Sequence, residues 1–109
     1  MIKIRVLDKP PYKQSPASKK EGKTQRIRKE ILREKVKERM INKKILKGNV
    51  KLIIRYKRHN CKSDSANIIG GICDSLNKIV YEDDFQVKEV DYKEEKSNEE
   101  AFELEVVPL

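Results

Sequence analysis

The sequence predicts a small α/β (α+β) domain: a mixed β-sheet with two main helices. Three observations point there. Short segments alternate apolar with charged residues, two longer ones repeat apolar residues every three or four positions, and 109 residues suit a single domain, 1–109. The predicted order is strand, helix, strand, helix, strand, strand, with no internal repeat.

Ile2, Ile4 and Val6 alternate with Lys3, Arg5 and Leu7, which suits a half-buried first strand stopped by Pro10-Pro11. Residues 10–23, rich in proline, serine and lysine, read as a flexible basic loop. From Gln25, the positions of Ile27, Ile31, Leu32, Val36, Met40 and Ile41 predict a helix over 25–46, ended by Gly48-Asn49. Glu30 and Glu34 on it are placed for i,i+4 pairs with basic residues. Val50, Leu52, Ile54 and Tyr56 alternate with Lys51, Ile53, Arg55 and Lys57, giving a second strand with one apolar face. A second helix follows, N-capped by Asp64 or Ser65, with Ile68, Ile72 and Leu76 as its buried stripe. Val90 and Tyr92, then Phe102, Leu104 and Val106, predict a β-hairpin closed by the polar run 94–100.

No apolar run approaches the ~20 residues needed to span a bilayer, and the N-terminus lacks a secretory apolar stretch. The expectation is a soluble, cytoplasmic protein with no membrane partner. Cys61 and Cys73 lack close cysteine partners, so reduced thiols are expected, and with His59 they offer no zinc-ligand spacing. A chain this small hides only about 60–70% of its unfolded surface, which makes a symmetric homodimer a natural supplement.

The net charge of +8 conceals a division. Residues 1–62 carry 22 Lys/Arg against 5 Asp/Glu, whereas residues 63–109 carry 4 against 13. The basic half implies attraction to a polyanion, most simply a nucleic acid backbone. The acidic half calls for another explanation.

Asp64, Asn67, Asp74, Asp83 and Asp84 supply one. Asn67 and Asp74, seven apart, fall about 20° apart around a helix. Gly70 and Gly71 share that side, opposite Ile68, Ile72 and Leu76. Asp83-Asp84 follows on a loop or short turn that could fold back toward it. Converging carboxylates repel unless they titrate upward or bind a cation, and oxygen ligands suit Mg²⁺ or Mn²⁺. Beside a basic half, such a site implies metal-assisted phosphodiester hydrolysis. Taken singly, the same residues also read as an N-cap, a solvated helix residue, a turn and a close helix-on-sheet contact.

The run Asp64-Ser65-Ala66-Asn67-Ile68-Ile69, then Asp74-Ser75-Leu76, then Asp83-Asp84 resembles the RusA family of Holliday-junction resolvases, small homodimeric endodeoxyribonucleases. The family's motif reads D-x-D-N, an apolar helix ending in D-A-L or similar, then a D-D pair. The resemblance implies catalytic roles for Asp64, Asp84 and Asp83. It implies Mg²⁺ (or Mn²⁺) on Asp64, Asp84 and Asp74, and substrate contacts from Asn67, Lys57, Arg58, Lys62, Arg26 and Arg33. The implied partners are four-way branched DNA, cut by paired symmetric nicks, and a second copy of the chain. Ala66 stands at the second motif aspartate, and Gly70 stands where some members carry lysine. The alternatives are a junction-binding module of the same fold with weakened catalysis and a small basic RNA-binding protein. His59 reads as a bystander or a phosphate contact.

Overall fold

The computed structural model describes residues 2–12 and 19–109. The elements are β1 (Ile2–Val6), α1 (Lys19–Arg39), β2 (Val50–Arg58), α2 (Ser65–Leu76), a short 3-10 helix (Asp84–Gln86), β3 (Val87–Lys96) and β4 (Ala101–Pro108). Among the described residues the strands form one mixed sheet in the order β1-β4-β2-β3. β4 runs antiparallel to both β1 and β2, and β3 runs parallel to β2.

Directly paired residues share a face. Ile2, Val106, Leu52 and Val90 therefore form one row across the sheet, and Ile4, Leu104, Ile54 and Tyr92 the next. Leu32 and Val36 of α1 and Ile68, Ile72 and Leu76 of α2 join these strands in one buried cluster, so both helices cover the same face. The rows thin at β3, where Val90 is 43% exposed. The opposite face carries Lys3, Arg5, Arg55, Lys57, Glu103 and Glu105.

Two expectations are corrected. β3 and β4 are not a hairpin, because β2 lies between them. Val50, Leu52, Ile54 and Tyr56 are almost wholly buried, and a strand that apolar needs a neighbour on each side. Alternation fixes which face a residue occupies, not which strand lies beside it.

The first helix spans 19–39 rather than 25–46. Residues 19–23 of the expected loop are helical, and 13–18 of it lie outside the described residues. Beyond Arg39, Asn42 takes a left-handed conformation (φ 65°), which asparagine tolerates better than most residues. The chain turns there, and the Leu46 N–H reaches the Val80 carbonyl at 2.7 Å.

Gly71 is where the N-terminal segment crosses α2. A Cβ there would lie 2.4 Å from the Pro11 carbonyl oxygen and 2.7 Å from Tyr12 Cα, so the close contact is with that segment and not with the sheet. Gly71→Ala is expected to cost roughly 1–3 kcal/mol through overpacking against backbone, more than the ~1 kcal/mol alanine gains in helix propensity. Gly48, with nothing within 4 Å of its would-be Cβ, is the control. Urea unfolding of the two variants should show a lowered midpoint for Gly71→Ala alone.

Candidate active site

The path from β2 into α2 is held by two charged side chains. Arg58 donates from Nη1 to the carbonyls of Cys61 (2.8 Å) and Ser63 (2.7 Å), and from Nε and Nη2 to Glu94 (2.8 and 3.0 Å). Hydrogen bonding to Glu94 holds the guanidinium's pKa above its ordinary value, and the same bonds hold the Glu94 carboxyl below its own. Glu100, in the β3–β4 connection, accepts the backbone N–H groups of His59 (2.8 Å), Asn60 (2.6 Å) and Cys61 (3.0 Å), and the Tyr56 hydroxyl. Burial pushes the Glu100 carboxyl up, but the Tyr56 hydroxyl and these N–H groups outweigh it, leaving its pKa below the usual value.

This anchored loop delivers Asp64 as the N-cap of α2, where its side chain accepts the Asn67 N–H at 2.8 Å. Asp64 is exposed, as are Ser65 and Ala66 in the first turn, and Asn67 is half-buried.

At the other end of α2, Arg33 of α1 donates to the carbonyls of Asp74, Ser75 and Asn77. Those are carbonyls a helix C-terminus leaves unpaired. Lys29 pairs with the Asp74 carboxylate at 2.6 Å. The Tyr81 hydroxyl donates to the Cys73 carbonyl at 2.9 Å. Burial, then neighbouring Cys73 and Asp84, raise the Tyr81 pKa, so the phenol stays protonated. Asp84 is half-buried beside it, with Oδ1 shielded from solvent.

The 3-10 helix that carries Asp84 is locked by its own contacts. Asp83 caps it, while Gln86 accepts the N–H groups of Glu82 and Asp83 and donates to the carbonyls of Leu46 and Gly48. It therefore sits where β2 begins.

The expected convergence of carboxylates is not found within one chain. Asp64 follows the C-terminal end of β2, whereas Asp84 precedes β3, whose start at Val87 pairs with Val50. The twelve residues of α2 between them span about 18 Å. Asp74, Asp83 and Asp84 lie at one end and Asp64 and Asn67 at the other. Among the described residues no three His, Cys, Asp or Glu side chains group closely enough to hold a metal ion. A single chain thus does not fit the divalent ion that the motif implies.

The expected cations also divide. Arg58 and Arg33 spend their guanidinium groups on carbonyls and Glu94 inside the chain, so both position backbone. Lys57 and Lys62 are exposed, Lys57 lining a concavity of about 560 Å³ on the uncovered sheet face with Arg5, Arg55 and Lys93. Arg26 is exposed on α1 beside Ile27 and Glu30. His59 Nδ1 lies 3.1 Å from the Ser97 carbonyl.

The acidic half faces the basic half: Lys51 pairs with Glu89, Arg55 with Asp91, Arg58 with Glu94 and Lys47 with Glu82. Sequence reasoning missed Glu100, Gln86 and Lys29. Glu100 and Lys29 meet partners about 40 or more residues away, which no local pattern marks, whereas Gln86 stands three residues after Asp83 at capping-box spacing.

A model of the endodeoxyribonuclease RusA family matches residues 9–107 of the chain. The chain belongs to the RusA endodeoxyribonuclease family. A search of curated proteins finds no match. The family match runs through α1, both ends of α2 and the strands β2, β3 and β4 but not β1, and membership implies a nuclease of the Holliday-junction-resolving type. No helix among the described residues is long and apolar enough to cross a membrane. Ala66 is exposed beside Asp64, where a larger side chain would meet no packing constraint.

The Glu100 anchor is pH-sensitive with a definite sign. A carboxylate whose folded pKa is lowered stabilises the fold above its unfolded value of about 4.3, and that contribution is lost as pH falls through the folded value. Glu100→Gln should lower stability near pH 7 by about 1–3 kcal/mol, as expected for lost hydrogen bonds to a charged group. Thermal melts from pH 7 to 3 should show the gap between variant and wild type closing below about pH 4.5.

Proposed function

We propose that this chain is a structure-selective endodeoxyribonuclease that cuts four-way DNA junctions as a homodimer with a divalent ion, Mg²⁺ or Mn²⁺. The observation that carries the reading is the family match over 9–107, and the carboxylates at the two ends of α2 support it: Asp64 at one, Asp74, Asp83 and Asp84 at the other. Oxygen-only donors suit Mg²⁺, which keeps several waters and so needs few protein ligands.

A two-fold partner with its α2 antiparallel sets the Asp64 end of one chain against the Asp84 end of the other. The ligand set is then shared, and a symmetric dimer carries two such sites, matching the near two-fold symmetry of a four-way junction. The ion, when bound, supplies charge neutralisation at the scissile phosphate and an activated water. Asp64 and Asp84 hold it, Asp83 and Asp74 support them, and Asn67 orients substrate. Breaking the Lys29–Asp74 pair is required before Asp74 can contribute. Lys57, Lys62 and Arg26 contact phosphates, which position a duplex without reading its sequence.

A second reading, a module that binds junctions without cutting, is favoured by one observation, the absence of a carboxylate at Ala66.

The test is cleavage of a labelled four-way junction against matched duplex, with Mg²⁺, Mn²⁺ or EDTA. The nuclease reading expects paired metal-dependent nicks in the junction, reduced at least about 100-fold by Asp64→Asn or Asp84→Asn with junction binding retained. Ala66→Asp should tighten metal binding. Binding without nicks under every condition establishes the module, and no preference for the junction removes both readings.

A further inference from the structure

The outward face of α1 departs from the rest of that helix. At about 100° per residue, Ile27, Ile31, Glu34 and Glu38 fall within about 60° of one another, opposite the buried Leu32 and Val36. From residue 24 to 39 no Lys or Arg falls in that window, and Arg26 and Lys35 stand on its two flanks. Ile27 is 50% exposed and Ile31 44%. With Glu30, Glu34 and Glu38 they line a groove of about 510 Å³.

Two features define what this groove takes. Glu30, Glu34 and Glu38 follow one another at i,i+4, a spacing at which like charges destabilise a helix. Among the described residues Glu34 is offset by Lys37 at 3.3 Å, while Glu30 and Glu38 make no ion pair. A cation laid across this row relieves the repulsion. The order Ile27, Ile31, Glu34, Glu38 also has the 4-3-4 spacing of a helix-packing seam, apolar in its first half and acidic in its second. Its complement is a helix presenting two apolar side chains and then two of Lys or Arg along one stripe.

Nucleic acid does not fit, because phosphates would meet three carboxylates. A second copy docked in parallel sets Glu34 on Glu34 and Glu38 on Glu38. Lys29 and Arg33, which reach α2, lie on the other side of α1, so the two-fold arrangement proposed above does not use this face.

We infer that the 27–38 face of α1 docks a basic amphipathic helix of another protein, its apolar pair seated against Ile27 and Ile31 and its cations against Glu34 and Glu38. This is helix-in-groove recognition read through anchors at turn spacing. The inference goes beyond the nuclease reading and does not need it, since the surface is separate from both ends of α2.

The probe is a fluorescein-labelled peptide of about 20 residues, long enough to be helical, made of alanine and glutamine around a seam of Leu, Leu, Lys and Lys at 4-3-4 spacing. Fluorescence anisotropy with the intact chain should give a Kd below about 100 μM, weakened at least about tenfold, or about 1.4 kcal/mol, by Ile31→Lys. A scrambled peptide of the same composition should bind as weakly. The double variant Glu34→Lys, Glu38→Lys should lose this peptide and bind one whose seam is Leu, Leu, Glu and Glu. All three substituted side chains are exposed, so these variants should melt as the wild type does.

No binding at about 1 mM overturns the inference. So does equal binding of the scrambled peptide, or binding that neither Ile31→Lys nor the charge reversal changes, since either shows attraction without a seat on α1. A chain whose mass in sedimentation equilibrium falls to that of a monomer in Ile31→Lys assigns the face to a second copy and overturns it too. A DNA duplex that loses affinity in Ile31→Ser assigns it to nucleic acid, with the same result.

Discussion

Because β2 hydrogen-bonds to β3 on one side and β4 on the other, and runs parallel to β3, the chain leaving it at Arg58 must travel back along the sheet before β3 can begin. A parallel pair needs such a crossover, and α2 is that crossover. Everything about the candidate site follows from it. Asp64 caps the start of the return and Asp84 marks its end, so the two motif carboxylates are held apart by the helix that the motif itself encodes. Neither end is loose. Arg58 and Glu100 fasten the first, and Gln86, Tyr81 and Arg33 the second, each through hydrogen bonds to backbone carbonyls or N–H groups.

The same strand order explains the charge division. Placing basic β2 beside acidic β3 turns the excess of each into cross-strand ion pairs at Lys51, Arg55 and Arg58. These pairs are largely solvent-facing and contribute little stability individually. Their consequence is that the strands, with nine Lys/Arg against six Asp/Glu, offset much of their charge internally, while α1, with ten Lys/Arg against four Glu, keeps the larger surplus. Attraction to a polyanion therefore belongs to the α1 side of the molecule more than to its sheet.

Much of the fold was legible in the sequence. Period-two alternation marked the strands that form at Ile2–Val6 and Val50–Arg58, and the stripe Ile68, Ile72, Leu76 marked α2, whose cap is Asp64 of the two candidates Asp64 and Ser65. What alternation does not encode is lateral order, since pairing depends on which strand is most buried. The hairpin expected from Val90 and Phe102 failed for that reason. The family resemblance was legible in the run from Asp64 to Asp84, but the spacing of those residues along the chain says nothing of distance across a helix. Arg58 and Arg33 looked like phosphate contacts because sequence shows charge without showing what satisfies it.

The central claim is that Asp64 and Asp84 act together only across two chains. Mixing Asp64→Asn with Asp84→Asn chains, after unfolding and refolding together, tests it directly. If the site is shared, each mixed dimer holds one intact pair and one doubly altered pair, and junction nicking returns, on one strand per dimer, where neither variant alone cuts. If both carboxylates serve within the same chain, every site in the mixture carries a lesion and no activity returns, which would contradict the account.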